Sequence, residues 1–181
     1  MIELMVVVAI LAILAALAAP SFTPIIERWR VRDTAESLTS TLYFARSEAI
    51  KRGGNVIITK NADSGTCTAA ETTEWNCGWH VYFDANGNGA YNCTTDAKEC
   101  DLQVAVEPTR MAINLAGSTG SITVDRWGMS SHTPAGGGAG APTNMFFEVM
   151  PKGKDMTDPS AARLCAGTGG RIARKKGSDT C

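Results

Sequence analysis

The chain has 181 residues, room for one ordinary domain and one special segment. Its net charge of −1 excludes a strong overall pull toward nucleic acid or acidic partners, and its 44% apolar content is ordinary. Neither quantity is evenly spread: residues 4 to 19 are all apolar, and residues 150 to 181 hold seven basic side chains against three acidic ones.

The chain opens on Met1-Ile2-Glu3 followed by that apolar run, which ends at Pro20. Nineteen helical residues rise about 28 Å, close to the hydrocarbon thickness of a bilayer, so residues 1–20 read as a membrane-spanning or filament-core helix. A signal peptide would begin with positive charge, whereas the only early charge here is the negative Glu3. A carboxylate inside an apolar helix is costly unless something pairs with it. No basic residue precedes Arg28, so the partner is expected from another molecule.

Beyond Pro20 and Pro24, which remove backbone donors and predict a kink or local unwinding, a helical pattern continues. Val31, Ala35, Leu38, Leu42, Ala45 and Ala49 recur at spacings of four and three, a narrow apolar stripe on a polar helix. Gly53-Gly54 ends it, with Lys51 and Arg52 where the helix dipole favours cations. The predicted division is a helix over 1–53 and a globular head over 54–181, and the whole helix would be about 75–80 Å long.

The stretch from Ile2 to Pro20 resembles the processed N-terminus of type IV pilins and type II secretion pseudopilins. In that family a glutamate near the processed end pairs with the N-terminal amine of a neighbouring subunit during assembly; the resemblance gives Glu3 that role, with Pro20 and Pro24 shaping the rod. It implies an α+β, type IV pilin-like fold, with the long helix packed on a β-rich, disulfide-braced head. It also implies residence in the bacterial inner membrane before assembly and an extracellular or periplasmic filament afterwards, with copies of itself and other pilins as partners. Family members begin with a methylated phenylalanine after a basic leader ending in glycine. Met1 stands at the family's third mature position, which implies that two mature residues and the leader precede it.

From Asn55 onward the pattern changes to short β-type runs separated by Gly, Asn, Asp and Pro. Strands are predicted over 56–59, 79–83, 102–106, 111–115, 122–126, 144–150 and 171–174, and residues 130–143, with three consecutive glycines, read as a loop. Residues 45–52 followed by a strand, then Trp75, Gly78-Trp79, Phe83-Asp84 and Asp125-Arg126-Trp127-Gly128, resemble the minor-pilin subgroup that includes secretion pseudopilin H and fimbrial protein T. Members of that subgroup serve as minor or tip subunits that prime assembly, in pili or in type II secretion.

Six cysteines, all outside the apolar helix, point to an oxidising compartment and up to three disulfides. Fifteen pairings are formally open; short loops favour Cys67–Cys77, Cys93–Cys100 and Cys165–Cys181. Zinc is the competing reading, but only His80 and His132 are available and no C-x-x-C occurs. Asp84-Ala85-Asn86-Gly87-Asn88-Gly89 matches the first half of a calcium loop. The bidentate glutamate expected at the twelfth place is missing, with Thr95 there and Asp96 next, and the same residues also suit a tight turn.

Arg171, Arg174, Lys175 and Lys176 form the strongest basic cluster. It suits either salt-dependent binding of DNA phosphates or a charged edge strand meeting an acidic neighbour. The fimbrial T resemblance implies the first, since members of that subgroup bind DNA through such a segment during natural transformation. Trp29 reads as an anchor at the membrane interface, and Trp75, Trp79 and Trp127 as core. No catalytic motif or cofactor-binding motif is present: there is no G-x-S-x-G and no P-loop, and each histidine stands alone.

Overall fold

The computed structural model describes residues 2–18, 22–62, 67–132 and 143–181. Among these residues the elements are α1 (Ile2–Ala18), α2 (Thr23–Arg52), a 3-10 turn (Ala97–Glu99) and nine strands. The strands are β1 (Val56–Lys60), β2 (Trp79–Phe83), β3 (Asp101–Ala105), β4 (Met111–Leu115), β5 (Ser121–Val124), β6 (Ser130–His132), β7 (Met145–Pro151), β8 (Ala162–Ala166) and β9 (Ile172–Lys176).

Pro24 lies in the first turn of α2, where a missing backbone donor leaves no helical bond unmade. Pro20 lies outside the described residues. At the other end Gly53 adopts a left-handed conformation (φ 85°) and its N–H caps the Ala49 carbonyl, beside Lys51 and Arg52 in the last turn. The six apolar stripe residues of α2 are all buried, joined by Thr34 and Thr41.

Two antiparallel sheets receive that stripe. One runs in the order β3-β2-β1-β5-β6, the other β4-β7-β8-β9. Helix α2 contacts β1, β2 and β5 of the first and β7 and β8 of the second, so it is the common backing of both. The core is continuous from Val31 and Leu38 through Val56, Ile58, Val81 and Ile122 to Ile113, Phe147, Val149 and Leu164. Trp75 meets Phe147 edge to face at 5.6 Å, and Trp79 donates its indole N–H to the Thr41 hydroxyl at 3.0 Å. Thr41 thus explains a polar residue on the stripe: it satisfies the indole of a buried tryptophan.

The disulfides join Cys67 to Cys77, Cys93 to Cys100, and Cys165 to Cys181. Each brace closes a loop between neighbours in sequence rather than crossing the core. Gly78, at the mouth of β2, has φ 80°, and a Cβ there would stand 2.3 Å from the Ala105 carbonyl oxygen. The β2–β3 edge therefore closes only around glycine.

Three expectations change. Trp127 is 71% exposed rather than in the core, because Asp125-Arg126-Trp127-Gly128 is a surface turn. Its Asp125 carboxylate accepts the N–H groups of Trp127 and Met129, which fixes the turn and points the indole outward. Residues 130–132 form β6, paired with β5, inside the stretch read as loop; positions 133–142 lie outside the described residues. A strand absent from the sequence reading, β8, fills the sheet between β7 and β9.

Candidate functional site

Ile2 through Leu14 of α1 are all exposed, so the head leaves this surface uncovered. Ile2, Leu4, Met5 and Leu11 are each at least 60% exposed. An apolar surface bare on every side is far more than an isolated soluble domain displays, and it marks a face made for lipid or for other helices. Glu3 stands in the first turn of α1, exposed and without an ion pair among the described residues. Among the described residues no helix is long and apolar enough to cross a membrane. The described part of α1 has 17 residues, about 26 Å, so the span expected over residues 1–20 is not complete in this structure. Farther along, Phe22, Ile25, Ile26 and Trp29 at the start of α2 are also exposed, with Trp29 at 69%.

The basic cluster occupies the edge of the second sheet, since among the described residues β9 pairs only with β8. Arg174, Lys175 and Lys176 are exposed on β9 and line a groove with Arg28 and Arg32 of α2. Arg171 precedes β9 and does not line it. The two helix arginines went unnoticed in sequence because some 140 positions separate them from β9; only the packing of α2 across the sheet joins them. Arg32 is partly engaged, its Nε donating to Glu36 at 2.7 Å on the exposed helix face. That guanidinium lowers the Glu36 carboxyl below its usual value, chiefly through the hydrogen bond. Lys175 donates to the Thr180 carbonyl, tying the strand to the C-terminal segment that Cys165–Cys181 anchors.

The Asp84–Gly89 segment follows β2 as an open turn. The Asp84 carboxylate accepts N–H groups from Gly87, Asn88 and Gly89 at 2.7–3.1 Å. Asn86 Oδ1 accepts from Asn88 N, and Asn88 Oδ1 from Ala90 N. Among the described residues no three of His, Cys, Asp or Glu come together in a group that could hold a metal ion. His80 and His132 lie in different strands, β2 and β6.

The sequence profile of the family described as "Type II transport protein GspH" matches residues 34–170. Among solved structures, the type IV minor pilin FimU of Pseudomonas aeruginosa is similar in two crystal forms, each 20% identical. One has a TM-score of 0.58 with 84% of this chain and 92% of that chain covered; the other has 0.55, with 82% and 94%. The minor pseudopilin EpsH from the type 2 secretion system of Vibrio cholerae is similar at a TM-score of 0.51, 14% identical, covering 83% of this chain and 99% of that one. These structural likenesses show the fold. No curated sequence matches the chain.

Proposed function

We propose, because this chain belongs to the type II transport protein GspH family, that it acts as a minor structural subunit of a type IV pilus or type II secretion pseudopilus. The observation that carries this reading is α1: a helix apolar on all sides, left bare by its own head, with one carboxylate at its first turn. Such a rod is costly in water and at rest in two settings, a bilayer and a bundle of like helices.

Before assembly the subunit resides in the inner membrane, with Glu3 near the lipid face. In the filament the Glu3 carboxylate meets the terminal amine of a neighbouring subunit, whose positive charge removes the cost of burying it. The head, held to α2 by the buried stripe, covers the outside. The family match supports this reading, the FimU and EpsH likenesses support the fold it needs, and they leave pilus and secretion machinery equally open as its setting.

Replacing Glu3 with alanine tests the mechanism. The variant is expected to fractionate with membranes as the native chain does, and to be depleted from sheared filaments or pseudopili by at least about tenfold, in line with the several kcal/mol at stake in a buried charge pair. Incorporation at the native level would contradict it.

A second reading, contact with DNA during uptake, is favoured by one observation: the groove in which Arg28 and Arg32 join the β9 cations. Five cations along one groove form a track for phosphates rather than for bases, and no aromatic side chain lines it.

A further inference from the structure

We propose that the loop following β2 is a binding site for one calcium ion, held by Asp84, Asn86, Asn88 and Glu99. Nothing in it depends on which filament the chain serves. The sequence shows only half of such a site. Its donors Asp84, Asn86 and Asn88 alternate at the first, third and fifth positions, with Gly89 at the sixth, but Thr95 occupies the twelfth position where the carboxylate should stand.

The fold supplies the missing carboxylate from farther along. Residues 97–99 form a single 3-10 turn whose first N–H groups are capped by the Asp96 side chain, through Lys98 N. The Cys93–Cys100 disulfide closes the excursion immediately beyond it. Glu99 is thereby turned inward and is 0% exposed. Its Oε1 accepts the N–H of Asn86 at 3.1 Å, which places the carboxylate against the first half of the loop. Its Oε2 is buried and has no hydrogen-bond partner among the described residues.

Asp84, 4% exposed, is the second buried carboxylate of the same loop. Neither it nor Glu99 has an ion-pair partner among the described residues. Asp84 is compensated by the N–H groups of Gly87, Asn88 and Gly89, but a buried Glu99 oxygen with no donor beside a second buried carboxylate is costly, and a bound cation is the remedy proteins use. The donor chemistry selects the ion. Carboxylate and amide oxygens, with no sulfur or imidazole in the set, suit a hard cation, and several protein oxygens offered by an irregular turn suit the larger, less regular shell of calcium over the near-octahedral, water-rich shell of magnesium. With only two charged ligands, affinity belongs in the range of extracellular modules, about 10⁻⁴–10⁻³ M.

The test uses the full chain in detergent, stripped with a chelator, then titrated with calcium chloride or magnesium chloride and followed by thermal unfolding and calorimetry. Calcium at about 10 mM should raise the Tm by about 5 °C with one ion bound per chain, and magnesium by much less. Glu99→Gln keeps an acceptor for the Asn86 N–H but removes the charge. It should abolish the calcium shift while leaving the chelated protein as stable as the native chain or more so. Should that variant fail to fold, Asn88→Ala, at an exposed position, should weaken calcium binding by at least about tenfold. No shift in the native chain, an equal shift with magnesium, a shift surviving in Glu99→Gln, or unaltered affinity in Asn88→Ala would each overturn the proposal.

Discussion

His80 lies in β2 with its ring against Tyr82 and Tyr91, at 5.8 and 5.0 Å. Asn61 fixes its tautomer. The Asn61 amide nitrogen donates to the Cys77 carbonyl at 3.0 Å, so its oxygen faces His80 Nδ1 at 2.9 Å, and that nitrogen must be the donor. The other ring nitrogen, Nε2, is buried without a partner among the described residues. Burial lowers the imidazole below its ordinary 6.5, against a smaller upward pull from Asp101. The folded form therefore resists protonation more than the unfolded chain does. Stability is fully present above the unfolded value near 6.5 and is lost as pH falls through it toward the lower folded value. Chemical denaturation should show unfolding free energy decreasing from pH 7.5 to 5.5, and His80→Gln should flatten that slope. An identical slope in the variant would assign the pH dependence elsewhere. A lone histidine in a strand gives no hint of this in sequence, because the effect resides in the burial of the ring, which only the fold creates.

Helix α2 was readable from its sequence because a single stripe is buried against the two sheets while the rest of the helix stays polar. Val31, Ala35, Leu38, Leu42, Ala45 and Ala49 recur at helical spacing, and all six are buried. Strand β2 was readable to the residue because its branched and aromatic residues end abruptly at Gly78 and Asp84, and β4 because Met111, Ile113 and Leu115 alternate between Pro108 and Gly117. Strand β8 was not. Its inward positions are Ala162, Leu164 and Ala166, two of them too small to register as an alternating apolar run, and its outward positions include a cysteine. It is a strand because β7 and β9 flank it, with Arg163 reaching Glu148 of β7 at 2.8 Å, which is tertiary information. The stripe itself makes a quantitative prediction. Leu38 is 2% exposed and Ile50, on the same helix, 55%. Leu38→Ala should cost about 3 kcal/mol and lower the Tm by about 6–12 °C, while Ile50→Ala should stay within about 0.5 kcal/mol. Equal effects in thermal unfolding of the detergent-solubilised chain would mean that α2 does not pack by this face.

At the scale of the molecule, the fold concentrates charge that the sequence distributes. The four C-terminal cations were visible as a run, but a run on one edge strand neutralises few phosphates at once. Packing α2 across the second sheet sets Arg28 and Arg32 beside Arg174, Lys175 and Lys176, while Arg171 lies off the groove. Glu36 already occupies Arg32, which leaves about four cations for phosphate. If duplex DNA follows this groove, the slope of log K against log salt should be about −4 for the full chain, since each neutralised phosphate contributes about −0.9. Arg28→Ala should reduce the slope by about one, although Arg28 is remote from the basic tail in sequence. Arg171→Ala should leave it nearly unchanged. A chain whose slope responds to Arg171 but not to Arg28 would bind through the terminal segment as a flexible polycation, and the helix-and-strand groove would then be a contact surface for an acidic neighbour in the filament.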